Sequence, residues 1–254
     1  WKIKNATDPS LNQVSRIIDK FDAIFTNPNK SKVFIGKSII DSATNLKVIS
    51  TASTGTNHID LDYAKKKKIK IISLKKEKKI INKISSTAEH ALALTLASLR
   101  NVTNSSKSVL KGEWDYTKFI GRQMDHLTIG IIGYGRLGKK YAKYCKIFGS
   151  KVIFFDPFKK SSSKKIKKIS YIKKLLKVSD IISIHVHLNK KTHHMFNKSF
   201  FSKIKKNVII INTARGDVID ENTLINFLKK NKKAKFATDV IENEIFSNGK
   251  SKLI

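Results

Sequence analysis

The chain has 254 residues, a formal net charge of +33, 40% apolar content and a single cysteine. That length holds two modest domains or one large α/β unit, and the apolar share supports a packed core. No apolar run has the length of a membrane span, the start is not a signal peptide, and lone Cys145 excludes an internal disulfide and fits a reducing, cytoplasmic compartment.

The charge is nearly all lysine, since the only arginines are Arg16, Arg100, Arg122, Arg136 and Arg215. Proteins that read nucleic acid favour arginine for bidentate contacts and stacking. The lysines are spread along the chain, at 65–68, 75–79, 159–174 and 229–235, and read as solvated faces. The charge therefore points to no specific nucleic-acid partner and no membrane, and non-specific polyanion binding is a side effect of it.

Trp1–Lys4 suggests a strand, Leu11–Ile18 has helical spacing, and Asp22–Thr26 reads as a strand. A polar turn at 27–29, a weak helix over Gly36–Ser42 and a strand at Leu46–Ser50 follow. Thr51–Asn57, rich in small hydroxyl residues around Gly55, is a loop at that strand's C-terminal end, where open α/β sheets place ligands. Leu61–Lys67 is a helix and Ile69–Ser73 a strand. This alternation predicts a parallel sheet for a first, smaller domain over residues 1–85. A second domain covers residues 86–254.

Ser86-Thr87-Ala88-Glu89 resembles a capping box with Ser86 as N-cap. The helix it opens is apolar around most of its surface, which predicts burial between layers or at an interface. Gly112-Glu113-Trp114 closes the next helical segment, with Trp114 as a packing anchor.

A β-branched run, Leu127–Ile132, then breaks on Gly133-Tyr134-Gly135-Arg136-Leu137-Gly138 and becomes a helix to Phe148, with Leu137, Tyr141, Ala142, Cys145 and Phe148 as its inner stripe. Glycines in this spacing, at a strand-to-helix junction, fit a dinucleotide turn: one for the tight bend, one for backbone approach to a pyrophosphate, one for close packing of helix on strand. The helix N-terminus offers free N–H groups to the phosphates. The next strand, Lys151–Phe155, ends at Asp156, 18 residues beyond Gly138 and near the ~20-residue offset of the acid that holds the adenosine ribose. A carboxylate there repels a 2′-phosphate and favours NAD over NADP, a preference that Lys159 and Lys160 soften.

Beyond Asp156, Lys159–Lys168 reads as a loop, Tyr171–Val178 as a helix, Asp180–His185 and Asn207–Ile211 as buried strands, Glu221–Lys230 as a helix and Lys235–Asp239 as a last strand. The polar groups cluster at strand ends. Arg215 suits a bidentate grip on a carboxylate, or equally a turn arginine paired with Asp217 or Asp220. Glu244 reads as a solvated loop acid. His185 and His187 share one side of an extended chain, but no third ligand has suitable spacing, so no metal site is expected. His193 and His194 diverge on a surface loop, and His58, His90 and His126 read as structural.

Together these segments resemble the D-isomer-specific 2-hydroxyacid dehydrogenases, nearest their D-3-phosphoglycerate dehydrogenase branch. The resemblance rests on Ser53-Thr54-Gly55-Thr56-Asn57-His58-Ile59-Asp60, Thr87-Ala88-Glu89-His90, the glycine fingerprint, His185-Val186-His187-Leu188, Asn212-Thr213-Ala214-Arg215-Gly216, and Ala237-Thr238-Asp239-Val240 with Glu244. It implies a Rossmann-type doubly wound sheet beside a smaller, incomplete flavodoxin-like α/β substrate domain. It implies NAD as cofactor, a small 2-hydroxy or 2-oxo acid as substrate, and a homodimer.

By the same resemblance, Arg215 binds the substrate carboxylate, and Glu244 hydrogen-bonds a catalytic histidine and raises its pKa. Asp239 takes the nicotinamide carboxamide, while Arg136 and Leu137 meet the pyrophosphate through their backbone. Val186, Thr213 and Ala214 line the cofactor. Ser53, Thr54 and Gly55 offer backbone N–H groups to the substrate, Thr54 near the nicotinamide. The family's catalytic histidine follows the residue matched by Glu244, in a Pro-His pair, and no histidine follows His194 here. The family's first strand and helix are not matched either. The expectation is an internal piece of a dehydrogenase, with a non-catalytic NAD(H)-binding regulator on the same fold as the alternative.

Overall fold

A computed structural model describes residues 3–7, 9–27, 33–56, 58–159, 166–244, 247 and 250–253. The chain divides into two compact units, Trp1–Ile84 and Ser85–Glu244; Ile245–Gly249 groups with the first and Lys250–Ile254 with the second. The sequence-based boundary lies one residue later and carries the second domain through to residue 254.

The first unit holds three parallel strands in sequential order, β1 (Ala23–Thr26), β2 (Val48–Thr51) and β3 (Lys70–Ser73). Helices Lys37–Ser42 and Leu61–Lys66 make the two crossovers, as parallel pairing requires. Asp60 caps the second, its carboxylate accepting from Tyr63 N at 2.9 Å. Ile39, Ile40, Ile49, Ile59, Ala64 and Ile69 form the core. The expected first strand falls partly outside the described residues, and Ile3 and Lys4 have no regular structure. The helix at Leu11 stops at Ser15 and resumes as a 3₁₀ turn at Ile18–Lys20. The lysine-rich Lys78–Lys83 is a helix that sequence reading leaves unassigned.

The second unit carries a six-stranded, all-parallel sheet: β4 (Thr128–Ile132), β5 (Lys151–Phe155), β6 (Lys167–Lys168), β7 (Ile181–Ile184), β8 (Ile209–Asn212) and β9 (Lys235–Thr238). Its order is β6-β5-β4-β7-β8-β9, the doubly wound Rossmann arrangement, with the reversal between β4 and β7. Alternation along each strand sends side chains to both faces. Ile129, Ile131, Phe154, Ile181 and Ile211 pack against Tyr141, Ala142, Cys145, Ala88 and Ala91. Ile132, Ile153, Ile182, Ile184 and Ile210 pack against Leu175, Leu176, Phe200, Phe201 and Leu224 on the other side. Each buried isoleucine contributes roughly 1.5–3 kcal/mol, so near-continuous isoleucine runs suit strands covered on both faces.

Several expectations are corrected here. Lys167–Lys168 pairs with β5 as an edge strand, Ile153 facing Lys167; the remainder of that expected loop, 160–165, lies outside the described residues. The N-cap of the helix Ser86–Arg100 is Ser85 rather than Ser86, and its hydroxyl donates to the Glu89 carboxylate at 2.5 Å instead of accepting from a backbone N–H. It buries only Ala88, Ala91, Thr95 and Leu99, because it covers one sheet face and leaves Leu92, Leu94 and Leu96 part-exposed. Trp114 is no packing anchor: 87% exposed, it lies with Tyr116 and Ile120 along an open groove. Phe148, at the helix end beyond the last inward turn, is exposed rather than part of the inner stripe.

Candidate active site

Strand register assembles the site. Ile132 lies opposite Phe155 and Ile184, Ile184 opposite Asn212, and Asn212 opposite Thr238. The next residue along each strand is therefore Gly133, Asp156, His185, Thr213 or Asp239, side by side along the sheet's C-terminal edge. That edge is where open α/β sheets bind ligands, at the switch point.

Gly133 turns at φ +91°, and a Cβ there would meet the His185 carbonyl oxygen at 2.5 Å. Gly138 packs so close that its Cβ would sit 2.2 Å from the Gly133 carbonyl oxygen. Gly135 differs, because nothing lies within 4 Å of where its Cβ would be. The turn is thus closed against protein on two sides and open on the third. Gly135 caps the helix Arg136–Ile147, whose first N–H groups have no intrahelical acceptor. Partial burial lowers the pKa of the Arg136 guanidinium.

Asp156 is buried, and its carboxylate accepts from Tyr134 N at 2.9 Å and from Phe158 N at 2.8 Å. These bonds fix the acid against the glycine turn and leave further lone pairs for hydroxyl donors. Across the switch point, Val186 Cγ1 would lie 3.1 Å from a Gly133 Cβ, placing Val186 beside the turn. Thr213 Oγ1 is buried with no hydrogen-bond partner among the described residues. An open glycine turn, a fixed carboxylate and an orphaned hydroxyl on one edge fit a dinucleotide.

Asn212, fully buried, shapes the turn after β8. Its Oδ1 accepts from Ala214 N at 3.0 Å and its Nδ2 donates to Arg215 O at 2.9 Å. Arg215 Nη1 donates to Ala214 O at 2.6 Å, and among the described residues the arginine forms no ion pair with Asp217 or Asp220. Gly216 lets this turn touch the segment after β9, since a Cβ would fall 1.8 Å from the Ile241 carbonyl oxygen. Glu244 at that segment's end keeps an exposed surface. Even so, desolvation and the nearby Asp239 and Asp217 carboxylates raise its pKa, against the opposing pull of Arg215. It is therefore not an isolated loop acid.

The histidines also depart from expectation. The rings of His193 and His194 stack at 4.0 Å instead of diverging. His194 Nε2 lies 2.5 Å from Glu242 Oε1, and Glu242 Oε2 accepts from Glu221 N at 3.0 Å. This pair ties the loop after β7 to the segment that carries Glu244. Sequence distance hides it, because the partners are 48 residues apart. His90 Nε2 lies 3.7 Å from Asp239 Oδ2, and the mostly exposed His126 lies beside Asp125. His58 is buried, its Nε2 3.2 Å from Thr51 Oγ1.

His185 Nε2 meets Ser183 Oγ at 2.8 Å, and burial lowers its pKa to about 4. A histidine depressed below its unfolded value contributes stability that is complete above about pH 6.5 and is lost as pH falls towards 4. Part of the residue still reaches the surface, so we expect about 2 kcal/mol. Thermal unfolding of His185→Asn across this range should lose that acid limb; an unchanged limb would assign it to other groups.

In the first unit, the loop after β2 is braced internally. Ser53 Oγ donates to Gly55 O at 2.6 Å and lies 3.0 Å from Thr51 Oγ1, while Ser53 O accepts from Leu74 N at 3.1 Å. Thr54 is part-exposed on this loop, and Asn57 lies outside the described residues.

The fold, the open glycine turn and the acid at the end of β5 define the second unit as a Rossmann-type dinucleotide-binding domain. Residues 92–253 match the family model of the D-isomer-specific 2-hydroxyacid dehydrogenase NAD-binding domain, and the chain belongs to that family, whose cofactor is NAD. The D-3-phosphoglycerate dehydrogenase of Archaeoglobus fulgidus is 35% identical over 245 residues, 96% of this chain and 45% of that protein. The chain thus spans less than half the length of that relative. The hydroxypyruvate reductase of Thermotoga maritima is 33% identical, with 91% of this chain and 73% of that protein aligned. A crystal structure of D-lactate dehydrogenase from Aquifex aeolicus, complexed with NAD and lactic acid, superposes with a TM-score of 0.81 at 32% identity, covering 94% of this chain and 72% of that one. Among the described residues, no helix is long and apolar enough to cross a membrane.

Proposed function

We propose that this chain forms the cofactor site and part of the substrate site of an NAD-dependent oxidoreductase that moves a hydride between the nicotinamide and C2 of a small D-2-hydroxy acid. The observation that carries this reading is the gathering of Arg215, Asp217, Asp239 and Glu244 beyond β8 and β9, on the sheet whose switch point holds the glycine turn. NAD, when bound, supplies the hydride acceptor or donor. The chain's own residues do the rest. Gly133, Gly135, Arg136, Leu137 and Gly138 seat the pyrophosphate, and Asp156 holds the adenosine ribose. Val186, Thr213 and Ala214 line the cofactor, and Asp239 accepts from the carboxamide. Arg215 fixes the substrate carboxylate with two parallel hydrogen bonds. Glu244, its proton affinity raised by desolvation and then by the nearby Asp239 carboxylate, steadies the acid–base group of the reaction. Within the first unit, the braced loop of Ser53, Thr54 and Gly55 after β2 is the segment suited to offer backbone N–H groups to a substrate.

Among hydroxy acids we favour 3-phosphoglycerate, supported by the likeness to a phosphoglycerate dehydrogenase over nearly the whole chain. The chain should bind NADH, and Asp156→Ala should weaken binding about 10- to 100-fold through lost ribose bonds to a charged acceptor. Unchanged affinity in calorimetric titration would remove Asp156 from the ribose. Turnover of 2-hydroxy acids that depends on Arg215 supports the enzyme; NADH binding without turnover supports the regulator.

We also propose that a second copy covers the apolar groove. Trp114, Tyr116 and Ile120 line that groove and are each more than three-quarters exposed, with Leu110 exposed nearby in the chain. Trp114→Glu should convert a dimer into a monomer in sedimentation; an unaltered dimer places the interface elsewhere.

A further inference from the structure

The helix Ser86–Arg100 runs antiparallel to β9 and is tied to it at both ends. At the foot of the sheet, Lys235 Nζ donates to Ser98 O at 2.7 Å and to the Asn101 side-chain oxygen, placing a cation at the helix C-terminus. At the functional edge, His90 Nε2 lies 3.7 Å from Asp239 Oδ2. Both side chains are nearly half exposed, so this contact fills no core and adds little to folding. It brings the imidazole beside the Asp239 carboxylate, on the residue just past β9.

We propose that His90 is a positioning residue of the cofactor site. Its imidazole holds Oδ2 of Asp239 and leaves Oδ1 to accept from the nicotinamide carboxamide. This inference rests on the reading of Asp239 as the carboxamide's partner. A lone carboxylate on a part-exposed edge samples several rotamers, and binding must then bear the cost of ordering it. The helix is locked onto the sheet by Ala88, Ala91, Thr95 and Leu99, so it presents His90 from a rigid element. Pinning the carboxylate in advance concentrates the gain at the nicotinamide end of the ligand.

The test is calorimetric binding of NADH and of ADP-ribose, which lacks the nicotinamide, to the full chain. His90→Ala should weaken NADH about five- to ten-fold, the effect of freeing one side chain, and leave ADP-ribose unchanged. His90→Gln, which keeps an N–H donor, should recover most of the loss. In an Asp239→Ala background, His90→Ala should add nothing. Unaltered NADH affinity in His90→Ala, an equal loss for ADP-ribose, or the same loss with and without Asp239 would each overturn the proposal. If Asp239→Ala itself leaves NADH binding intact, the reading of Asp239 fails and the role of His90 falls with it. If Asp239→Ala weakens NADH while His90→Ala is silent, only the role of His90 fails.

Discussion

Gly216→Ala should disable the site more thoroughly than removal of any charged group in it. The added methyl would lie 1.8 Å from the Ile241 carbonyl oxygen, 1.9 Å from its carbon and 2.4 Å from Glu242 N. All three are backbone atoms, so no rotamer change relieves the clash. The segment after β9 must withdraw from the turn after β8, and Arg215 and Glu244 part company. The His194–Glu242 contact and the Asn243 N bond to Asp217 Oδ1 (3.2 Å) strain with it. We expect about 3–5 kcal/mol of lost stability. Turnover of 2-hydroxy acids should fall by at least about 100-fold, as misplaced catalytic groups allow. Chemical unfolding and steady-state kinetics would measure both, and wild-type values for both would mean that the two segments separate without cost.

The glycine turn should answer differently at each position. Gly133→Ala forces an L side chain to φ +91° and against the His185 carbonyl oxygen, so the fold should lose about 3 kcal/mol or more. Gly135→Val meets open space and an ordinary φ of −78° at the helix cap, so the melting temperature should hardly move. Its branched side chain nonetheless occupies the room that a pyrophosphate needs, and NADH affinity should drop by about 100-fold or more through lost phosphate contacts. Valine at Gly135 with intact NADH binding would mean that the dinucleotide does not cross this turn. Equal destabilisation by both substitutions would mean that Gly135 serves the fold rather than the ligand.

The frame of the second unit is legible in the chain because its strands are buried on both faces. Ile129–Ile132, Ile181–Ile184 and Ile209–Ile211 are too apolar to be anything but inner strands once glycines or polar residues end them. The glycine spacing and the offset to Asp156 are equally local, and the fold keeps both at the strand ends. Elements governed by distant packing read less well. Lys167–Lys168 has no strand pattern and is a strand only because β5 offers a free edge. The helix Ser86–Arg100 is apolar enough to suggest burial all round, yet the sheet covers only one of its faces.

For the site, sequence alone determined the residue types and their placement just past strands: Arg215 after β8, Asp239 after β9, Asp156 after β5. It does so because a strand's end is marked by a local change from apolar to polar side chains. Which of these groups face one another was decided only by the tertiary structure. In-register pairing of five parallel strands brings residues 133, 156, 185, 213 and 239 to one edge, although up to 106 positions separate them in the chain. The pairings His194–Glu242 and His90–Asp239 belong to the same class. No local pattern encodes them, because their partners meet through loops and a helix whose positions are set by the sheet beneath.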